Sequence, residues 1–273
     1  MEQREVAIDT VRRHGAAIGL AASISRVAPR QRRTEFRSDL PRNENWQRCS
    51  DVLADPARFD LWRKRLAEWL CGRFGDAPAR TTAGYVMSWY LHVPAYAAAL
   101  LLHHERRVPL LRPEELAFRL GDDRPHPEGI AVLGADFYCL PGDPAAGHPE
   151  ATVVADERAL TAMLRARYIA HAEKFVHAYA PVSRLGRRML WAGATDALEN
   201  SLWWAGRQTG DEGAGVANAT LVLDACHPPL TSASALRFDA DDGWTRRRES
   251  CCFSYLLPNE TECAECPRLR RPS

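Results

Sequence analysis

The chain has 273 residues, 36 Lys and Arg against 35 Asp and Glu, and a 46% apolar share. That length can bury a sizeable core in one large domain or two modest ones. The near-zero net charge excludes a global basic field for nucleic acid, and no unbroken apolar run of ~18 residues marks a transmembrane helix.

Residues 5–27 alternate apolar and polar positions at helical spacing. The stretch contains "GAAIGLAASI", but Glu2, Glu5 and Asp9 precede it and no cleavage site follows. An amphipathic helix is therefore expected rather than a signal peptide, in a cytoplasmic chain. "APRQRRTEFRSDLPRNEN", 28–45, is charged and proline-flanked and is expected as a loop. In 55–75, Phe59, Trp62, Leu66, Trp69, Leu70 and Phe74 fall on one helical face, with Gly75 as the stop. Residues 81–107 are apolar over most of their length, which predicts a buried helix kinked or restarted at Pro94.

The middle changes character. "ELAFRL" (115–120), "GIAVLGADFYCL" (129–140) and "ATVVAD" (151–156) alternate with Gly, Pro and Asp clusters, as strands of a small antiparallel sheet do. Helical spacing returns in 155–180, where Leu160, Met163, Leu164, Tyr168, Phe175, Val176 and Tyr179 form one stripe. A second long helix is expected over 183–208, capped by Ser183. After a glycine-rich turn at 210–215, "VANATLVLDACH" predicts a third, ended by Pro228 and Pro229. Residues 235–249 read as a hairpin around Asp241, Asp242 and Gly243.

The hairpin leads into "RRRESCCFSYLLPNETECAEC", 246–266, which holds four of the eight cysteines in the pattern C-C-x10-C-x2-C. Cys49, Cys71, Cys139 and Cys226 are scattered and expected as buried small apolar groups. In a reducing compartment clustered thiols bind metal or do redox chemistry more often than they form disulfides. A thioredoxin-like exchange site lacks its βαβ context here. Structural zinc prefers two C-x2-4-C knuckles around one tetrahedral ion, and the side chains of the adjacent Cys251 and Cys252 point apart. A [2Fe–2S] cluster also takes four thiolates but offers two irons, so divergent ligands suit it better. Six arginines against four glutamates over 244–273 would raise the potential of such an anionic unit. Zinc stays open as the alternative.

The segment resembles the C-terminal iron–sulfur motif of the FhuF-like ferric-siderophore reductases. Tyr255, Leu257 and Pro258 stand in the ten-residue gap where that pattern has an aromatic followed by Leu-Pro. Residues 85–116 are similar to the family's Pro-centred, alanine-rich helix. Residues 187–198, "RRMLWAGATDAL", resemble another helix start of the family, with Gly193 shifted and the family's Asn absent. The resemblance implies a [2Fe–2S] cluster on Cys251, Cys252, Cys263 and Cys266, and no catalytic residue beyond it. It implies one-electron reduction of Fe(III)-siderophore to Fe(II), supplied by a donor such as a ferredoxin or flavin reductase. The place implied is the cytoplasm, at most peripheral at the inner face of the membrane. No motif marks the siderophore pocket.

Other candidates carry less. His103 and His104 diverge on a helix end, and His171 and His177 do not share a face. Cys226 and His227 close a helix before two prolines. Asp196, Glu199 and Asn200 are expected on the polar face of an amphipathic helix with Trp191, Trp203 and Trp204 as aromatic anchors, the alternative being a polar face that lines a pocket. Trp203 and Trp204 are also candidates for stacking on a catecholate or aryl siderophore. No P-loop, G-x-G-x-x-G, G-x-S-x-G or H-E-x-x-H occurs. The expected fold is α+β, mainly helical with a small antiparallel sheet in the middle. Residues 1–240 would form the body and 241–273 the cluster-binding segment. Two other functions fit the same residues: a helical binding protein with a zinc knuckle, or an iron–sulfur accessory or sensor protein in siderophore metabolism.

Overall fold

The computed structural model describes residues 18–42 and 45–269. The part of the expected first helix before residue 18, and Arg270 and Arg271 of the tail, lie outside the described residues. The first described helix is α1 (Leu20–Val27), whose buried Leu20, Ile24 and Val27 sit at the expected helical spacing.

Among the described residues the fold is mainly helical. α2 (Cys49–Ala54) leads into α3 (Pro56–Phe74), which opens on Asp55, whose carboxylate accepts the Ala57 N–H at 3.0 Å. It ends at Gly75, which adopts φ +81° as a left-handed C-cap. The predicted stripe holds: Phe59, Trp62, Leu66 and Leu70 are buried, with Trp69 and Phe74 packed at its edge.

α4 (Ala79–Glu105) is the central element and runs unbroken through Pro94, against the expected kink or restart. Proline removes one ladder hydrogen bond, and burial against α3 and the later helices keeps the turn in place. By length and composition α4 could also cross a membrane, but 78% of its most apolar window is buried by the rest of the chain.

α5 (Glu157–Ser183) and α6 (Arg187–Thr209) pack on α4, and α7 (Glu212–Val222) packs on α6. At the junction of α3, α4 and α5, Tyr90 stacks on Phe175 at 4.6 Å and Tyr179 on Phe175 at 5.0 Å. Phe59 lies 4.9 Å from Tyr179. Each such contact adds to the area term by about 1 kcal/mol. Three helix boundaries differ from expectation: α7 ends at Val222, so Cys226 and His227 lie in the loop beyond it, and two others shift. Ser183 ends α5 instead of capping α6, its hydroxyl accepting the Leu185 N–H at 3.2 Å. α7 starts at Glu212 because Asp211 accepts the Ala214 N–H at 3.1 Å, so most of the expected glycine turn at 210–215 is helix.

The strands form small mixed sheets. β1 (Glu35–Arg37), β2 (Trp46–Arg48), β4 (Leu116–Leu120) and β5 (Pro127–Val132) lie in the order β1-β5-β4-β2. β3 (Arg107–Pro109), β6 (Phe137–Cys139) and β7 (Ala151–Val153) form a second sheet. The predicted strands are all present, but the β1–β5 and β6–β7 pairs are parallel. β1 lies inside the stretch expected as a loop. Its one inward residue, Phe36, stands between Glu35 and Arg37, which pair with each other at 2.8 Å. Three residues give too little alternation to outweigh that charge. β8 (Arg237–Asp239) and β9 (Gly243–Thr245) form the expected hairpin.

Candidate metal centre

The chain leaves β9 as "RRRESCC" and is clamped at once onto α6. Asp196, in the middle of that helix and only 4% exposed, accepts the Glu249 N–H at 2.8 Å and the Ser250 N–H at 2.7 Å. The Ser250 hydroxyl donates to the same carboxylate, and Arg248 Nε lies 3.6 Å from it. One turn on, Glu199 is 3% exposed, accepts the Ser234 hydroxyl at 2.8 Å, and faces Arg246 at 3.5 Å. Arg246 also donates to the Asp196 carbonyl and to Glu265, each at 2.9 Å. Asp196 and Glu199 are therefore not the solvated face of an amphipathic helix, as expected from sequence. Both are buried acids: Asp196 fixes the backbone immediately before the cysteine pair, and Glu199 holds Ser234, Ala235 and the Arg246 side chain.

A second clamp comes from α4. Thr81 donates its hydroxyl to the Phe253 carbonyl at 2.8 Å. At Gly84 an added Cβ would stand 2.9 Å from the Cys252 carbonyl oxygen. Only a residue without a side chain lets the cysteine loop lie this close to the helix. Phe253 itself is 4% exposed and takes φ +59°, a left-handed turn that reverses the chain after the pair, with Arg80 over its ring at 4.8 Å.

The two cysteine-bearing strands of the loop are tied together by the Arg248 N–H, which donates to the Glu265 carbonyl at 3.0 Å. The Cys266 N–H closes the C-x2-C turn on the Cys263 carbonyl at 2.9 Å. As a result Cys251 meets Cys266 and Cys252 meets Cys263, thiol to thiol. Cys251 and Cys266 are buried, while Cys252 and Cys263 are half-buried. The thiols stand as two pairs, and among the described residues no three Cys, His, Asp or Glu side chains converge as for one ion.

Burial pushes the Cys251 thiol up, and burial with the neighbouring Cys252 pushes Cys263 up to about 11. Burial opposes ionisation of Cys252 as well, but the hydrogen bonds of Ser254 and the Arg248 charge outweigh it and lower its pKa. Cys252 thus gives up its proton more readily than Cys251 or Cys263. The Cys252 sulfur is 3.3 Å from the Ser254 hydroxyl, and the Phe253 N–H donates to the Cys251 sulfur at 3.3 Å. Arg248 Nε is buried with no hydrogen-bond partner in the described structure.

Residues 248–268 match the family model described as the FhuF 2Fe-2S C-terminal domain. The cysteine segment is FhuF-like. No curated protein matches the chain. The FhuF-like segment indicates a [2Fe–2S] cluster, and its residues fit one. The donors are four thiols, soft ligands in two pairs, where two irons need two thiolates each. The Arg248 Nε–H, which has no hydrogen-bond partner among the described residues, and the Phe253 N–H are the donors an anionic sulfur-rich group calls for. One tetrahedral zinc would instead need all four thiols turned to a single point.

The remaining cysteines divide. Cys49 and Cys139 are buried as expected, but Cys71 and Cys226 are exposed. His171 is buried between the Tyr90 hydroxyl at 3.1 Å and the Leu111 carbonyl at 2.8 Å, whereas His177 faces solvent. Arg30 donates to His104 at 3.2 Å, Asn218 to His103 at 3.2 Å, and Glu105 pairs with Arg26, all structural partners. Trp204 and Asn200 line a cavity that runs up to Arg248, and Trp203 lines another beside Cys266.

Proposed function

We propose that the chain is a ferric-siderophore reductase, an oxidoreductase whose [2Fe–2S] cluster is held by Cys251, Cys252, Cys263 and Cys266. The two thiol pairs support one iron on Cys251 and Cys266 and the other on Cys252 and Cys263. When bound, a cluster of this kind stores one electron. Reduction of Fe(III) to Fe(II) consumes one, and a siderophore holds Fe(II) far more weakly, so iron is released. The electron enters from an external donor such as a ferredoxin or flavin reductase. The proposed setting is the cytoplasm or the inner face of the membrane.

The observation that carries this reading is the FhuF-like match falling on four thiols that two buried clamps, Asp196 and Gly84, hold in pairs. The chain's own part is positional. α6 and α4 fix the loop, Arg248 offsets negative charge at Cys252 and Cys263, and burial of Cys251 and Cys266 limits water. A cationic surround of this kind favours the reduced, more negative form.

Anaerobic mixing of reduced protein with ferric siderophores tests it. The visible spectrum of the oxidised protein should return as Fe(II) appears, mole for mole. Absence of reoxidation across hydroxamate, catecholate and mixed chelates would leave the accessory or sensor reading standing.

A further inference from the structure

A cavity of about 530 Å³ opens between α4, α6, the loop before β5 and the cysteine segment. Two tryptophans line it. Trp89 of α4 carries the Arg124 guanidinium 5.2 Å from its ring centroid, with the same guanidinium 5.3 Å from Trp69. Trp204 of α6 carries Arg33 at 5.8 Å and Arg207 at 5.4 Å. Arg246 and Arg248 form the floor, and Arg248 also acts on Cys252 and Cys263. The cavity therefore ends at the thiol-bearing loop.

The charge balance inside is one-sided. The two acids in the lining, Asp196 and Glu265, are taken up by the cysteine loop and by Arg246. Among the described residues neither Arg33 nor Arg124 meets a carboxylate; each is exposed and lies over a tryptophan. Burial keeps His92 neutral, its pKa down to about 4, so the positive field comes from the arginines. Two half-buried indoles, each beside a guanidinium that meets no carboxylate among the described residues, offer ring faces and cations to a ligand in the same cavity. The volume suits one chelate of a few rings.

We propose that this cavity seats the ferric chelate, and that it selects anionic aryl chelates of the catecholate class over uncharged trihydroxamates. The inference rests on the reductase reading and adds to it the docking site and the substrate class. Catechol rings stack on Trp89 and Trp204, and their phenolate oxygens, which bring the complex to a net negative charge, face Arg33 and Arg124.

Redox-inert gallium(III) complexes separate docking from electron transfer. Quenching of tryptophan fluorescence in the cluster-loaded protein is titrated with gallium(III) tris-catecholate, gallium(III) citrate and a gallium(III) trihydroxamate. The tris-catecholate should bind at least ~10-fold more tightly than either, and Arg124→Ala and Arg33→Ala should each weaken it about tenfold while keeping the visible spectrum. Trp204→Phe should retain most of the affinity that Trp204→Ala loses. Equal or tighter binding of citrate or trihydroxamate, or affinity unchanged in both arginine variants, overturns the proposal. Tight gallium binding without reoxidation by the iron complex would instead remove the reductase reading and leave the site.

Discussion

The Asp196 carboxylate and the Ser250 backbone N–H meet at 2.7 Å across 54 residues of sequence, joining the middle of α6 to the residue before the cysteine pair. Asp196→Ala would leave the N–H groups of Glu249 and Ser250 unpaired in a buried site beside Arg248. A loss of about 3 kcal/mol is expected. Urea unfolding should show it, and iron and sulfide per chain should fall in parallel. Asp196→Asn, which keeps an acceptor, should fall between the two.

Gly84→Ala puts a methyl group 2.9 Å from the Cys252 carbonyl, a backbone atom that cannot swing aside. The expected cost is about 1–3 kcal/mol, with a changed EPR line shape because the loop must shift. A Cβ added at Gly72 on α3 would meet nothing within 4 Å, so Gly72→Ala should be neutral or stabilising by up to ~1 kcal/mol. Equal effects at the two glycines would contradict the close approach.

Serine in place of Cys251, Cys252, Cys263 or Cys266 should abolish or strongly alter the visible spectrum, with iron and sulfide counts dropping from two each. Cys71→Ser and Cys226→Ser, both at exposed positions, should leave spectrum and counts unchanged. A colourless wild-type protein with one zinc per chain would sink the cluster assignment.

His171 gives a pH dependence. Burial lowers its pKa from 6.5 to about 4, so the unfolded chain binds the extra proton first on acidification. Stability from this group is full above about pH 6.5 and falls as pH drops toward 4, by about 3 kcal/mol in all. His171→Gln should flatten the slope of unfolding free energy between pH 7 and pH 5. An unchanged slope would mean that His171 is accessible to protons in the folded state.

Much of the frame was legible in sequence because it depends on neighbours a few residues apart. The Phe59–Phe74 stripe and Gly75 declare α3, and the Leu160–Tyr179 stripe declares α5. β1 stayed hidden, since Phe36 lies between charged residues and its parallel partner β5 is distant in the chain. Pro94 misled for the opposite reason: a local rule predicts a break that burial of the helix overrides.

The same division runs through the site. Sequence alone determined the four thiols and their spacing, because C-C-x10-C-x2-C needs only short loops to bring sulfur near sulfur. The tertiary structure decided which thiol meets which, since the pairing of Cys251 with Cys266 and Cys252 with Cys263 follows from the Phe253 turn and the Arg248–Glu265 tie. It also decided what Asp196 and Glu199 do. A carboxylate on a helix with mixed neighbours looks solvated until a distant segment covers it, and only then do its hydrogen bonds become strong enough to hold a cysteine loop in place.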